Sequence, residues 1–173
     1  MKRTAFTLVE LLVVVAIIGL LSTVAAVSLN TTRVNARNAQ RKANLIQISK
    51  ALELYYSVNN GYPSTSGVWQ GNCSVYLGLP DSGAGAWIPN FTAYMAQLPH
   101  DPNTGKVNPS SAAAGCRTNP NVSCYVYVSN GTDYKVVAEC LPEGALSTTD
   151  PFYDPMRPSD GWQVSSVGGL NTF

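Results

Sequence analysis

One carboxylate interrupts an apolar run near the start of the chain. Residues Phe6 to Leu29 read FTLVELLVVVAIIGLLSTVAAVSL, and Glu10 is the only charge among them. An acid in such a stretch costs on the order of 2–3 kcal/mol or more unless something neutralises it, and acids in this setting are functional suspects by default. The chemistry open to Glu10 is therefore ion pairing in a dry setting. A second set of reactive side chains lies far downstream: Cys73, Cys116, Cys124 and Cys140. An even cysteine count in an exported domain points to up to two disulfides, with three possible pairings. A third set is Asp150, Asp154 and Asp160, which stand near Pro and Gly in the C-terminal part. Their spacing fits no EF-hand, and solvated loop acids are the preferred reading.

Other chemistry finds little support. The single histidine, His100, sits beside a proline-rich turn and reads as a surface residue. One histidine makes most Ser-His-Asp or Cys-His sets impossible. The chain has no phosphate-binding glycine loop and no zinc-type cysteine spacing. No enzyme is expected. Net charge is +1, but its distribution is uneven. Leu11 to Lys50 holds Arg33, Arg37, Arg41, Lys42 and Lys50 with no acid, whereas Ala51 to Phe173 has four basic and nine acidic residues. A basic stem carries an acidic head. The stem is the one place where nucleic acid could bind, but burial against other subunits is preferred. Pairing with acidic heads of neighbouring subunits would make assembly salt-sensitive.

These groups must be positioned by few elements. With 173 residues, the chain suits one ordinary domain plus an appendage. The 24 residues from Phe6 to Leu29 would span about 36 Å as a helix, enough to cross a bilayer. No proline occurs before Pro63, and Gly19 is the only glycine between Phe6 and Asn60. Leu45, Ile48, Leu52 and Tyr55 then recur at helical spacing, with Arg37, Arg41 and Lys42 read as lying off that stripe. Asn59-Asn60-Gly61 supplies a stop. The expectation is one helix from Phe6 to Asn59, about 80 Å long.

In the head, Cys124–Ser129 and Tyr134–Cys140 read as strands around Asn130-Gly131, a hairpin signal. A four-residue loop would set Cys124 and Cys140 on opposite faces, and a one-residue slip would bring them together. Tyr125 and Tyr127 are expected to pack on the long helix. Trp87–Ala96 reads as a short helix or ordered loop, Asn103–Ser123 as a long polar loop, and the chain after Pro142 as irregular.

The N-terminus allows three readings: a plain anchor, a signal peptide cleaved near Val24-Ala25-Ala26, or a short leader cleaved before the apolar run. Lys2 and Arg3, then Phe6-Thr7-Leu8-Val9-Glu10-Leu11-Leu12, resemble the type IV pilin and type II secretion pseudopilin superfamily. Leu54-Tyr55-Tyr56, Asn60-Gly61-Tyr62-Pro63 and Leu98-Pro99-His100-Asp101-Pro102 extend the likeness into the head with lower specificity. The family has Gly before the cleaved bond where this chain has Ala5. Many members carry a proline about sixteen residues beyond the Glu; here Gly19, Ser22 and Thr23 are milder weak points.

The resemblance implies cleavage between Ala5 and Phe6 by a prepilin peptidase, N-methylation of Phe6, and pairing of its amine with Glu10 during assembly. It implies an α+β fold, a long N-terminal helix packed on a small antiparallel sheet. The expected organisation is leader 1–5, transmembrane and assembly helix 6–29, amphipathic continuation 30–60 and globular head 61–173. The implied function is a homo-oligomeric filament subunit of a type IV pilus or type II secretion-like pseudopilus, held in the cytoplasmic membrane with its head outside. An assembly ATPase and a platform protein would be its partners. The resemblance also implies a calcium ion in the C-terminal loop, for which Asp150, Asp154 and Asp160 are the candidate ligands. Five basic residues after the span against two before it oppose the positive-inside tendency; the cysteines and leader favour the outside head. The alternative is an exported or membrane-tethered binding domain with an ordinary signal or anchor.

Overall fold

The computed structural model describes residues 6–111 and 113–173, with the side chains of residues 23–28, 170 and 171 outside the described set. Ala5 and the rest of the leader therefore lie outside the described residues. Helix α1 spans Leu8–Asn59 and is followed by β1 (Gln70–Gly71), α2 (Ala114–Thr118), β2 (Cys124–Ser129), β3 (Tyr134–Glu139), β4 (Gly161–Ser165) and α3 (Gly169–Thr172). The chain forms two compact units, one ending at Arg37 and the other running Asn38–Phe173.

In the first unit, α1 presents apolar side chains in every direction. Ser22 satisfies its hydroxyl inside the helix by donating to the Ile18 carbonyl at 2.7 Å. No helix among the described residues is long and apolar enough to cross a membrane.

In the second unit, the sheet order is β1-β2-β3-β4, all antiparallel. Tyr125, Tyr127, Tyr134, Val136 and Ala138 form a core with Leu45, Ile48 and Leu52 of α1. Cys124, Val126 and Val137 join Cys73 on the opposite face. Every residue of β2 and β3 is buried. Both faces are covered, so these strands lack the polar alternation of a one-sided sheet. The tyrosines do pack on the helix as expected: Asn44 donates to the Tyr125 hydroxyl at 2.9 Å, and Ser49 meets the Tyr134 hydroxyl at 3.1 Å.

Asn60 ends α1 by taking the left-handed conformation, φ 53°, with its N–H on the Tyr56 carbonyl. The hairpin loop is four residues, Asn130–Asp133, pairing Ser129 with Tyr134. The Asn130 side chain accepts from the amides of Thr132 and Asp133, and Gly131 supplies a φ of 94°.

Three expectations need correction. Arg41 does not lie off the buried stripe; it extends it four residues before Leu45 and is fully buried. The segment 103–123 is not simply a polar loop: it contains α2, and buried Asn108 gathers the carbonyls of Cys140 and Pro142 at 2.8 and 2.7 Å. The chain after Pro142 is not all irregular, because β4 completes the sheet. Trp87–Ala96 is an ordered loop without a helix, anchored by buried Trp87, Ile88 and Phe91.

Candidate functional site: the N-terminal turn and the helix clamp of the head

Glu10 lies in the first turn of α1. The Thr7 hydroxyl and backbone amide both donate to Glu10 Oε2, at 2.7 and 2.9 Å, and the Glu10 amide reaches back to Thr7 Oγ1 at 3.3 Å. This is a reciprocal capping box, in which a Thr and a Glu three residues apart satisfy otherwise orphaned donors. It explains why α1 begins at Leu8 and not at Phe6. The Thr-x-x-Glu spacing is a readable sequence signal for the cap, additional to the pairing role inferred above. A carboxylate accepts at several positions, so Oε2 in the cap leaves Oε1 for a cation.

Around this turn the apolar side chains lack cover. Phe6 is 75% exposed and Leu8 79%, and Val9 through Leu21 contributes a continuous set of exposed Leu, Val and Ile side chains. Monomeric proteins rarely leave so large an apolar surface in water, and such surfaces mark sites of association or membrane contact.

The head holds its part of α1 through a buried ion cluster. Arg41 Nε and Nη2 donate to Asp101 Oδ2 and Oδ1 at 2.6 and 3.0 Å, and Nη1 donates to Glu143 Oε1 at 2.8 Å. Asn38 adds a bond to the Glu143 carbonyl at 2.8 Å and accepts from the Glu143 amide. Burial works against the charged guanidinium, but Asp101 and Glu143 outweigh it and raise its pKa. Beside the cluster, Lys42 donates to Asp150 Oδ2 and lies 4.5 Å from the Trp162 ring centroid. Arg41 and Lys42 thus pair with acids of their own head, so the expected pairing with a neighbour's acids is corrected for these two of the five basic residues.

The three candidate calcium ligands are not gathered together. Asp150 is taken by Lys42, and Asp154 is fully buried against Lys135 at 2.9 Å, so it is not a solvated loop acid. Asp160 is half-buried and held above its usual pKa by desolvation. Among the described residues, the one grouping of potential metal-ligating atoms is Cys116, Cys140 and Asp160, and its two sulfurs are bonded to each other. The other disulfide joins Cys73 to Cys124. Cys124 therefore bridges to the Cys73 loop and Cys140 to helix α2, and not to one another.

Residues 1–26 match the prokaryotic N-terminal methylation motif. The chain is 31% identical over 103 residues to type II secretion system core protein G of Escherichia coli (strain K12), covering 58% of this chain and 67% of that one. It is 27% identical over 101 residues to the core protein G of Aeromonas hydrophila, covering 58% and 68% of the two chains. With that of Pectobacterium carotovorum subsp. carotovorum it shares 31% over 64 residues, which is 37% and 41% of the two. No solved structure matches. A methylation motif on an uncovered apolar helix, and a relative matched over two thirds of its length, lead to one conclusion: the chain belongs to the type II secretion system core protein G family of pseudopilins.

Proposed function

We propose that this chain is a structural subunit of a type II secretion pseudopilus, freed from its leader by a prepilin peptidase and assembled through its N-terminal helix. The observation that carries this reading is the exposed apolar surface of α1 with Glu10 in its first turn. Packing such helices side by side would bury that surface, at roughly 25 cal/mol per Å² of apolar area. Cleavage between Ala5 and Phe6 leaves an α-amine on Phe6, and methylation keeps its charge. That amine is the cation for the free oxygen of Glu10, in the same copy or in the copy already in place. The head stays outside the membrane, where its two disulfides persist. A platform protein and an ATPase drive incorporation.

The mature N-terminus tests the reading. Intact mass and N-terminal sequencing of the protein from native membranes or sheared filaments should give methylated Phe6. A start near Val27 would replace it with a soluble exported head released by an ordinary signal peptidase.

A further inference from the structure

The head carries an open hollow of about 360 Å³ between α1 and the loop before Asp101. Gln40, Asn44 and Gln47 of α1 form one wall; Met95, Leu98 and His100 lie opposite. Gln97 completes the rim, so its lining contains no Asp, Glu, Lys or Arg. Several groups are held in place. Asp81 Oδ2 holds His100 Nδ1 at 2.8 Å. Asn44 is fixed between Gln40 and the Tyr125 hydroxyl. The amides of Gln47 and Gln97 have no hydrogen-bond partner among the described residues, and Leu98 gives the hollow an apolar floor. This combination suits an uncharged backbone segment bearing one small apolar side chain.

The same head displays such a segment. Val167 is 100% exposed at the centre of Ser165-Ser166-Val167-Gly168-Gly169, and no charged side chain occurs from Gly161 to Phe173. The amides of Val167 and Gly168 are unpaired among the described residues. The loop is fixed from behind: the Ser166 amide donates to the Tyr134 carbonyl at 3.2 Å, and its hydroxyl donates to Asp133 Oδ1 at 2.7 Å. Asp133 ends the hairpin loop whose Gly131 carbonyl accepts from Tyr62, beyond the end of α1. The hollow lies at Gln40–Gln47, about 18 Å or more back along the helix from its end. Tyr134, which anchors the loop, meets Ser49 through its hydroxyl, about 200° around the helix from Gln47, so loop and hollow lie on different sides of α1.

We propose that the Val167 loop of one copy seats in the Gln40–Gln47–Leu98 hollow of the next, as a head-to-tail contact between copies of this chain. Val167 occupies the floor, and its free amide and that of Gly168 donate to the Gln side-chain oxygens. Such a heterologous contact does not close on itself and propagates as a filament. The inference rests on the filament reading and adds a specific head contact to it.

The test is cysteine cross-linking of the full chain in cells, with filaments sheared and examined first. Gln47→Cys and Val167→Cys in the same chain should give a ladder of multimers on a non-reducing gel, with Cys73–Cys124 and Cys116–Cys140 intact by mass mapping. Each single variant should give no ladder, and the two singles mixed should stop at dimers. Val167→Asp would bring an unpaired charge to an uncharged site and should lower filament yield on the order of tenfold or more. Filaments without a ladder, a cross-link within one copy, a cross-link to a different protein, or an equal ladder with Val107→Cys in place of Val167→Cys would overturn the contact. If the unaltered chain forms no filaments, the filament reading fails first, and the contact with it.

Discussion

Arg41 and Asp101 form a two-pronged ion pair in the interior of the head, at 2.6 and 3.0 Å, between the long helix and the Leu98–Pro102 turn. The planar guanidinium fits a carboxylate edge-on, which an ammonium cannot do. Removing Arg41 leaves Asp101 and Glu143 charged and dry, at a cost of about 3–5 kcal/mol. Arg41→Ala should therefore unfold the head at a markedly lower urea midpoint, and Arg41→Lys should recover only part of the loss. Asp101→Asn should cost less than Arg41→Ala, because Glu143 still pairs with Arg41 at 2.8 Å. If all three variants melt with the parent, the pair does not hold the helix.

Glu10 has two roles that substitution can separate. Gln serves as well as Glu at the third position of a capping box, so Glu10→Gln should keep the helix start while removing the charge. The expected outcome is unchanged helicity by circular dichroism and loss of filament incorporation. Thr7→Ala should do the reverse, costing the helix end about 0.5–2 kcal/mol while filaments still form. Filaments of normal yield from Glu10→Gln would reduce the acid to a cap.

The contrast between Glu10 and Arg41 shows how far the sequence reaches. Glu10 is legible because its strangeness is local: one acid among apolar neighbours, with a Thr three residues before it. Arg41 is opaque because its burial depends on Asp101 and Glu143, 60 and 102 residues away. The Asp-Pro turn was visible as a motif, but its partner on the helix was not. The hairpin was legible from Asn130-Gly131 and flanking β-branched and aromatic runs. Strand β4 escaped because Gly161-Trp162-Gln163-Val164-Ser165 has weak strand character of its own and is held by pairing with β3. The cysteine pairing escaped for a related reason, since the placement of the Cys73 loop and of the short helix α2, neither marked by periodicity, decides which sulfurs meet.

The two disulfides should differ in their contribution. Cys73–Cys124 closes a separation of 51 residues and Cys116–Cys140 one of 24. Chain entropy gives about 4 kcal/mol for the longer loop and about 3.5 kcal/mol for the shorter. Replacing both members of Cys73–Cys124 with Ala should lower the melting temperature slightly more than the same change at Cys116–Cys140. Cys73 and Cys124 also pack in the core on the sheet's second face, which adds to the difference. A larger drop at Cys116–Cys140 would mean that ordering the Asn108 loop outweighs loop length.

Glu139 provides a pH test. Desolvation raises its pKa, opposed by hydrogen bonds from the Tyr76 hydroxyl at 2.8 and 2.7 Å and by Arg157. A carboxylate raised by folding favours the folded state while protonated. Its contribution is full below the unfolded Glu pKa and is lost as pH rises through the higher folded value. Glu139→Gln fixes the neutral form and keeps an oxygen for Tyr76. The variant should lose less stability than the parent as pH rises through that window, when urea midpoints are compared at closely spaced pH values. Parallel pH profiles would show that Arg157 and Tyr76 fully compensate the buried charge.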